Sequence, residues 1–266
     1  MSVKLFVTDL DGTLLPNGRI VSPGNIKAVQ AAVKAGVTVT IATGRMYQAA
    51  LPVAEALGVN VPIITYNGAL IKDTEGTVLY SQFLPTSIVG DVADFCRAQG
   101  WHIQSYNQDE LYFAEYDRFA EFYEGEQQIK GHTVGWDGLK QQNDSVSKML
   151  SITDSKEETD QRVAILQERF GDQIDAVRSN ARYAEIISKG VSKASGIQRL
   201  AEVLKVPMAE TMAIGDGDND LPMLHAAGKS VAMGNAGENV KAVCDYETGD
   251  CLDDGFAQAI YEYVLK

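Results

Sequence analysis

The sequence predicts an α/β protein, a doubly wound parallel sheet with an α+β unit inserted into it. Three observations carry that reading. The first third of the chain alternates short apolar runs with stretches of helical periodicity. After Leu84-Pro85-Thr86 the order changes, and strands begin to follow one another directly. From Ser192 the strand–helix alternation resumes. Short strand–helix–strand connections imply parallel strands covered on both faces. Consecutive strands imply antiparallel pairing.

Each element has its own local reason. Residues 4–10 are a short apolar run, read as a buried strand. Ser22-Pro23 supplies an N-cap and a first-turn proline. Ile26, Val29 and Val33 then recur at helical spacing until Gly36 stops the helix. Residues 37–42 form the second strand, 47–57 a helix ended by Gly58, and 61–66 the third strand. Asn67-Gly68 breaks the chain, and a hairpin is predicted over 69–72 and 78–82, turning at 73–76. In the insertion, 88–98 is helical, 101–106 and 111–116 are an antiparallel pair, 119–129 is a helix and 146–153 a strand. Ser155-x-x-Glu158 is a capping box opening a helix that ends near Phe170. Residues 174–178 and 183–187 are two further strands. This αββαβαββ order belongs to a separate unit, and Tyr112, Phe113, Tyr116, Phe119, Phe122 and Tyr123 are assigned to its core. Beyond it, 193–205 is helical, 211–214 a strand, 221–227 a helix and 230–233 a strand, with helices over 237–244 and 255–265. The expected division is 1–84 with 189–266 as the core and 85–188 as the insertion.

Composition narrows the function. The 266 residues carry 23 Lys and Arg against 36 Asp and Glu, a net charge of −13. Such a chain repels a polyphosphate backbone, so nucleic acid is not an expected partner. A phosphate ester would meet the same field, and its site must bring local positive charge. Cys96, Cys244 and Cys251 match no zinc spacing and read as reduced thiols. His102, His132 and His225 are scattered, with no ligand spacing between them. The chain enters a strand-like run at once, and no apolar run approaches the ~20 residues of a membrane helix. A soluble, cytoplasmic protein without a membrane partner is expected, and no feature of the pattern sets an oligomeric state.

Four segments carry chemistry. Asp9-Leu10-Asp11-Gly12-Thr13 ends the first strand, where ligands of open α/β sheets bind. Gly12 lets the chain turn at once, so two carboxylates that would diverge along a strand are expected to converge. One carboxylate is suited to nucleophilic attack and the other to acid–base work, with a cation nearby to offset two like charges. Thr43-Gly44-Arg45 follows the second strand and offers a hydroxyl and backbone N–H groups to a phosphate. Lys193 opens a helix, an unfavourable end for a cation and therefore a sign of another use. Gly215-Asp216-Gly217-Asp218-Asn219-Asp220 follows a strand and gathers hard oxygen ligands suited to Mg²⁺.

In this order, DLDGT, TGR, a Lys-headed helix and GDGDND resemble the haloacid dehalogenase superfamily of phosphohydrolases, in particular its Cof-type members. The resemblance covers the whole chain. It implies a Rossmann-like core and a C2-type cap between the second and third motifs. It implies that Asp9 is the nucleophile and Asp11 the general acid/base. It implies that Asp9, Asp11 through its backbone carbonyl, and Asp216 hold Mg²⁺, with Asp220 orienting them, and that Leu10, Thr43, Gly44, Lys193 and Asn219 bind the transferring phosphoryl group. Members often have Lys-Gly at the third motif, whereas this chain has Lys193-Ala194 and, just upstream, Lys189-Gly190. Lys193 is preferred because Gly190-Val191-Ser192 leads into the helix. The implied activity is hydrolysis of small phosphorylated metabolites, sugar phosphates foremost, through an aspartyl-phosphate. The alternatives are a phosphomutase of the same superfamily and a phosphoacceptor regulatory protein. The cap is expected to choose the leaving group and exclude water.

Overall fold

The computed structural model describes residues 2–16, 20–58, 62–142 and 145–266. The first stretch runs β1 (Leu5–Thr8), α1 (Pro23–Lys34), β2 (Thr38–Ile41), α2 (Tyr47–Leu57), β3 (Ile63–Thr65), β4 (Leu70–Lys72) and β5 (Val78–Ser81). The middle runs α3 (Thr86–Gln99), β6 (Gln104–Asn107), β7 (Glu110–Phe113), α4 (Arg118–Gln127), β8 (His132–Thr133), α5 (Gly135–Lys140), β9 (Val146–Ile152), α6 (Lys156–Phe170), β10 (Ile174–Asn180) and β11 (Tyr183–Ser188). The last runs α7 (Lys193–Leu204), β12 (Thr211–Gly215), α8 (Leu221–Ala226), β13 (Lys229–Ala232), α9 (Glu238–Lys241), β14 (Tyr246–Glu247) and α10 (Gly255–Ala259). Two compact units result: Met1–Tyr80 with Ser192–Lys266, and Ser81–Val191.

The first unit is built on a parallel sheet of order β14-β13-β12-β1-β2. β3 extends it through a parallel bridge between Ala42 and Ile64, then turns back against β4. Alternation along β1 explains the two covered faces. Phe6 packs with α1, α2 and α10, through Val29, Ala50 and Phe256 among others. Leu5 and Val7 pack on the opposite side with α7 and α8, through Ile197, Leu200, Met223 and Leu224. The helix ends follow their local signals. Ser22 Oγ accepts the Asn25 N–H (3.0 Å) ahead of Pro23, and Gly58 closes α2 in the left-handed region.

The second unit has a six-stranded sheet of order β10-β11-β9-β6-β7-β8, antiparallel except where β7 meets β8. One face is packed by α3 and α6, with Met149, Ile174 and Ile186 in that core. Residues of opposite parity differ: Lys148 of β9 pairs with Glu185 of β11 at 2.7 Å, and both side chains are buried. Ser155 caps α6 as expected, accepting the Glu158 N–H, but the Glu158 carboxylate takes the Asp154 N–H rather than that of Ser155.

Several expectations are corrected. Val33 is exposed, because α1 turns Asn25, Ala28, Val29 and Ala32 inward instead. Tyr116 is exposed, while Phe113 and Tyr123 are buried. The helix expected over 255–265 divides into α10 and a wider i→i+5 turn, Ile260–Val264. The 237–244 helix shortens to α9. The short elements β8, α5 and β14 were not predicted, since two to six residues carry too little periodicity to be read. Val61, expected to start the third strand, lies outside the described residues.

Candidate active site

The site is set by sheet register. Thr8 of β1 pairs with Ile214 of β12, and the next residue, Asp9, donates its N–H to the Ile214 carbonyl (3.1 Å). The chain leaving β1 and the acidic loop leaving β12 therefore emerge side by side at the carboxyl ends of parallel strands. Gly12 sits at φ +82, a left-handed turn in which an added Cβ would come within 2.4 Å of Asp216 Oδ2. Thr13 Oγ1 donates to Asp216 Oδ1 (2.8 Å). Leu10 lies in the core, and its carbonyl accepts the Leu15 N–H (2.8 Å), closing the turn.

Lys193 is the first residue of α7, and Ser192 caps that helix in a reciprocal capping box with Ser195. The helix start lies against Gly68, where a Cβ would meet the Ser192 carbonyl at 2.2 Å. This close approach aims the lysine inward. Its side chain is 1% exposed, donating to Asp9 Oδ1 and to Asp220 Oδ1 (2.6 Å). Lys189 lies in the other unit and pairs with Asp175 at 2.8 Å, half exposed. Lys193, not Lys189, therefore reaches the acidic motifs. Asp220 is fully buried, and its second oxygen accepts the N–H groups of Asp216 (3.1 Å) and Gly217 (3.0 Å), shaping the acidic loop.

Asp9, Asp216 and Asp220 each offer one carboxylate oxygen to a group whose atoms lie within 4.8 Å of one another. Two of these three carboxylates, Asp9 and Asp220, share the Lys193 ammonium, while Asp216 accepts from Thr13. Burial, then Asp220, Asp216 and Asp11, push the Asp9 carboxyl well above the ordinary range, against the pull of Lys193. Burial and Asp220 push Asp216 up to about 6, against the Thr13 hydroxyl and Lys193. Burial works to lower the Lys193 ammonium, but Asp220 and Asp9 outweigh it and raise it. The cluster therefore holds more negative charge than its lysine offsets, and its donors are hard oxygens. Both properties fit Mg²⁺.

Not every expected residue joins this cluster. The Asp11 carboxylate stands apart, more than half exposed, gripped by Arg45 through Nε (2.9 Å) and Nη2 (2.5 Å). Asp9 and Asp11 thus do not converge on a single cation; each carboxylate has its own. Thr43 is buried and its hydroxyl accepts the Arg45 N–H (3.1 Å). It is no N-cap, because α2 begins later with Met46 in that position. Asn219 is half-buried, its Oδ1 close to where a Gly217 Cβ would stand. Asp218 turns outward and accepts from Asn239 (2.6 Å). Thr13 and Arg45 lay inside the quoted motifs without an assigned role, while nothing in the sequence flagged Asn235, which donates to the Gly12 carbonyl (2.8 Å). A cavity of about 270 Å³ in the second unit, beside Trp101 and Trp136, contains none of the motif residues.

The comparisons with known proteins bear on the family of the chain. A family model described as haloacid dehalogenase-like hydrolase matches residues 6–260. A 5-amino-6-(5-phospho-D-ribitylamino)uracil phosphatase of Bacillus subtilis is 29% identical over 266 residues, spanning 100% of this chain and 97% of that protein. An HMP-PP phosphatase of Serratia proteamaculans is 30% identical over 247 residues, covering 90% of this chain and 87% of its own length. Among solved structures, a haloacid dehalogenase subclass IIB sugar phosphatase superimposes with a TM-score of 0.86 at 26% identity, over 99% of this chain and 100% of its own.

Proposed function

Because the chain belongs to the haloacid dehalogenase-like hydrolases, as a Cof-type phosphatase of small phosphorylated metabolites, we propose that it hydrolyses sugar phosphates and similar monoesters through an aspartyl-phosphate on Asp9. The observation that carries this reading is the buried Asp9 carboxylate, held by Lys193 beside Asp216 and Asp220. Only a carboxylate kept in place and partly neutralised is ready for in-line attack on a phosphoryl group that is itself anionic.

Asp9, the Asp11 backbone carbonyl and Asp216 would hold Mg²⁺, with Asp220 fixing the loop that carries Asp216. The cation supplies charge neutralisation to the phosphoryl oxygens when bound. The Leu10 N–H, Thr43 hydroxyl, Gly44 N–H, Lys193 ammonium and Asn219 amide bind the same oxygens. In the first step an Asp9 oxygen forms a bond to phosphorus, the ester P–O bond breaks, and Asp11 gives a proton to the departing alkoxide. In the second step water attacks phosphorus, Asp11 takes its proton, and inorganic phosphate leaves with Asp9 restored. Arg45 now occupies both Asp11 oxygens, so proton delivery requires the guanidinium to give way. The inserted unit, which carries none of these groups, selects the leaving group.

The test compares Asp9→Asn and Asp11→Asn on a sugar phosphate and on p-nitrophenyl phosphate. Asp9→Asn is expected to abolish both activities. Asp11→Asn is expected to lose far more on the sugar ester, because p-nitrophenolate leaves without a proton. Wild-type rates in Asp9→Asn would refute the assignment. Transfer of the phosphoryl group back to sugar, rather than its release as phosphate, would instead indicate the phosphomutase.

A further inference from the structure

The turn that carries Asp11 and Gly12 is held by a residue outside the four motifs. Asn235 follows β13 and is itself exposed, yet both ends of its amide are spent on backbone. Its Nδ2 donates to the Gly12 carbonyl at 2.8 Å, and its Oδ1 accepts the Cys251 N–H at 3.0 Å. The loop around it is tied on both sides. Met233 N–H donates to the Gly215 carbonyl (3.1 Å), and Gly234 N–H donates to the Gly249 carbonyl (2.9 Å). Asn235 is therefore a brace between the chain after β1 and the segment before α10.

What it braces is one peptide group with a particular position. The Gly12 carbonyl belongs to the Gly12–Thr13 peptide, and both flanking residues bear on Asp216. Gly12 lies so close that a Cβ would stand 2.4 Å from Asp216 Oδ2. Thr13 Oγ1 hydrogen-bonds Asp216 Oδ1 at 2.8 Å. Rotation of that peptide would turn the Thr13 hydroxyl away, releasing Asp216 Oδ1, and would change the close packing of Gly12 beside Oδ2. The left-handed φ of Gly12 makes the turn soft, because glycine has little intrinsic preference for that geometry over others. An external hydrogen bond is then needed to select it.

We infer that Asn235 is a positioning residue of the acidic centre: by clamping the Gly12–Thr13 peptide it sets the orientation of Asp216 and hence the affinity of the site for a divalent cation. This rests on the metal reading above. Groups that orient metal ligands without touching the ion typically change affinity 10–100-fold when lost.

The test is calorimetric titration of the metal-free full-length protein with MgCl₂, alongside urea unfolding without metal. Asn235→Ala is expected to weaken Mg²⁺ binding by about tenfold. Its kcat at subsaturating Mg²⁺ should fall while KM for the phosphate ester changes little. Asn235→Asp separates the two ends of the amide. It keeps an acceptor for the Cys251 N–H but sets a carboxylate against the Gly12 carbonyl. It is expected to bind Mg²⁺ at least as weakly as the alanine variant. A role confined to steadying the Cys251 segment would leave Asn235→Asp close to wild type, and that result would overturn the inference. With Thr13→Val the loss should be non-additive, since both act on Asp216. Wild-type affinity in folded Asn235→Ala would sink this inference alone. Absence of Mg²⁺ binding by the wild-type protein would sink the metal reading and this one with it.

Discussion

Replacing Lys193 by Met deletes a charge and keeps an apolar stem of similar length. The ammonium it removes is the shared partner of Asp9 and Asp220, whose side chains are 8% and 0% exposed. Removing one partner of a buried ion pair costs about 3–5 kcal/mol, because the remaining charge has neither water nor a counterion. Here Asp9 has an escape, since burial already pushes its carboxyl up and it can take a proton. The expected loss at neutral pH, without divalent metal, is therefore near the lower end, about 3 kcal/mol. For a domain of this size that lowers the melting temperature by roughly 6–12 °C. The pH dependence follows in sign. A carboxyl whose pKa is higher in the fold than in the unfolded chain destabilises at high pH, and the cost fades as pH falls and the group protonates. The gap between variant and wild type should narrow from pH 8 towards pH 5. Urea unfolding in EDTA at several pH values measures this. Adding Asp220→Asn removes the second stranded charge and should recover stability without recovering turnover. In the single variant kcat should drop by about 10²–10³-fold. A Lys193→Met protein that unfolds at the wild-type urea concentration, at every pH, would refute the account of the cluster as short of positive charge.

Three further outcomes are expected. Turnover should vanish in excess EDTA and return with Mg²⁺, while Ca²⁺, with its larger and looser shell, should inhibit; full activity in EDTA would contradict the cation site. Gly12→Ala forces a side chain into a left-handed turn, costing about 1–2 kcal/mol, and drives Asp216 from its place. The displaced atom ends a movable side chain, so Mg²⁺ titrations should show a greater effect than unfolding curves. Asp117 caps α4 and meets the His102 ring at 2.9 Å. Burial pushes its carboxyl up, but His102 and the N–H groups of Ala120 and Phe119 outweigh it and hold it below the ordinary value. That stability is present above the unfolded pKa of about 3.9 and lost as pH falls through the lower folded value. Asp117→Asn should flatten the acid limb of the unfolding profile, and an unchanged limb would exclude the pair as a contributor.

The sequence by itself determined what could be decided locally. Ser22-Pro23 opens α1 and Gly58 closes α2 because capping and left-handed turns are chosen by the residues beside them. The apolar β1 and β12, each followed at once by acids, located the candidate site at their carboxyl ends for the same reason, and the doubly wound architecture followed from alternating periodicities. Strands of two residues, β8 and β14, escaped because periodicity needs length. Only the tertiary structure decided which charge answers which. Lys193 meets Asp9 across 184 residues, and Arg45 meets Asp11 across 34. Asn235 reaches Gly12 across 223. Those pairings depend on β1 lying between β12 and β2, a strand order created by packing both faces of the sheet at once. A pattern of neighbours along the chain reports the chemistry a segment can offer. The partner it finds is set by non-local burial, which brings a lysine at the head of one helix under the end of a strand far from it in sequence.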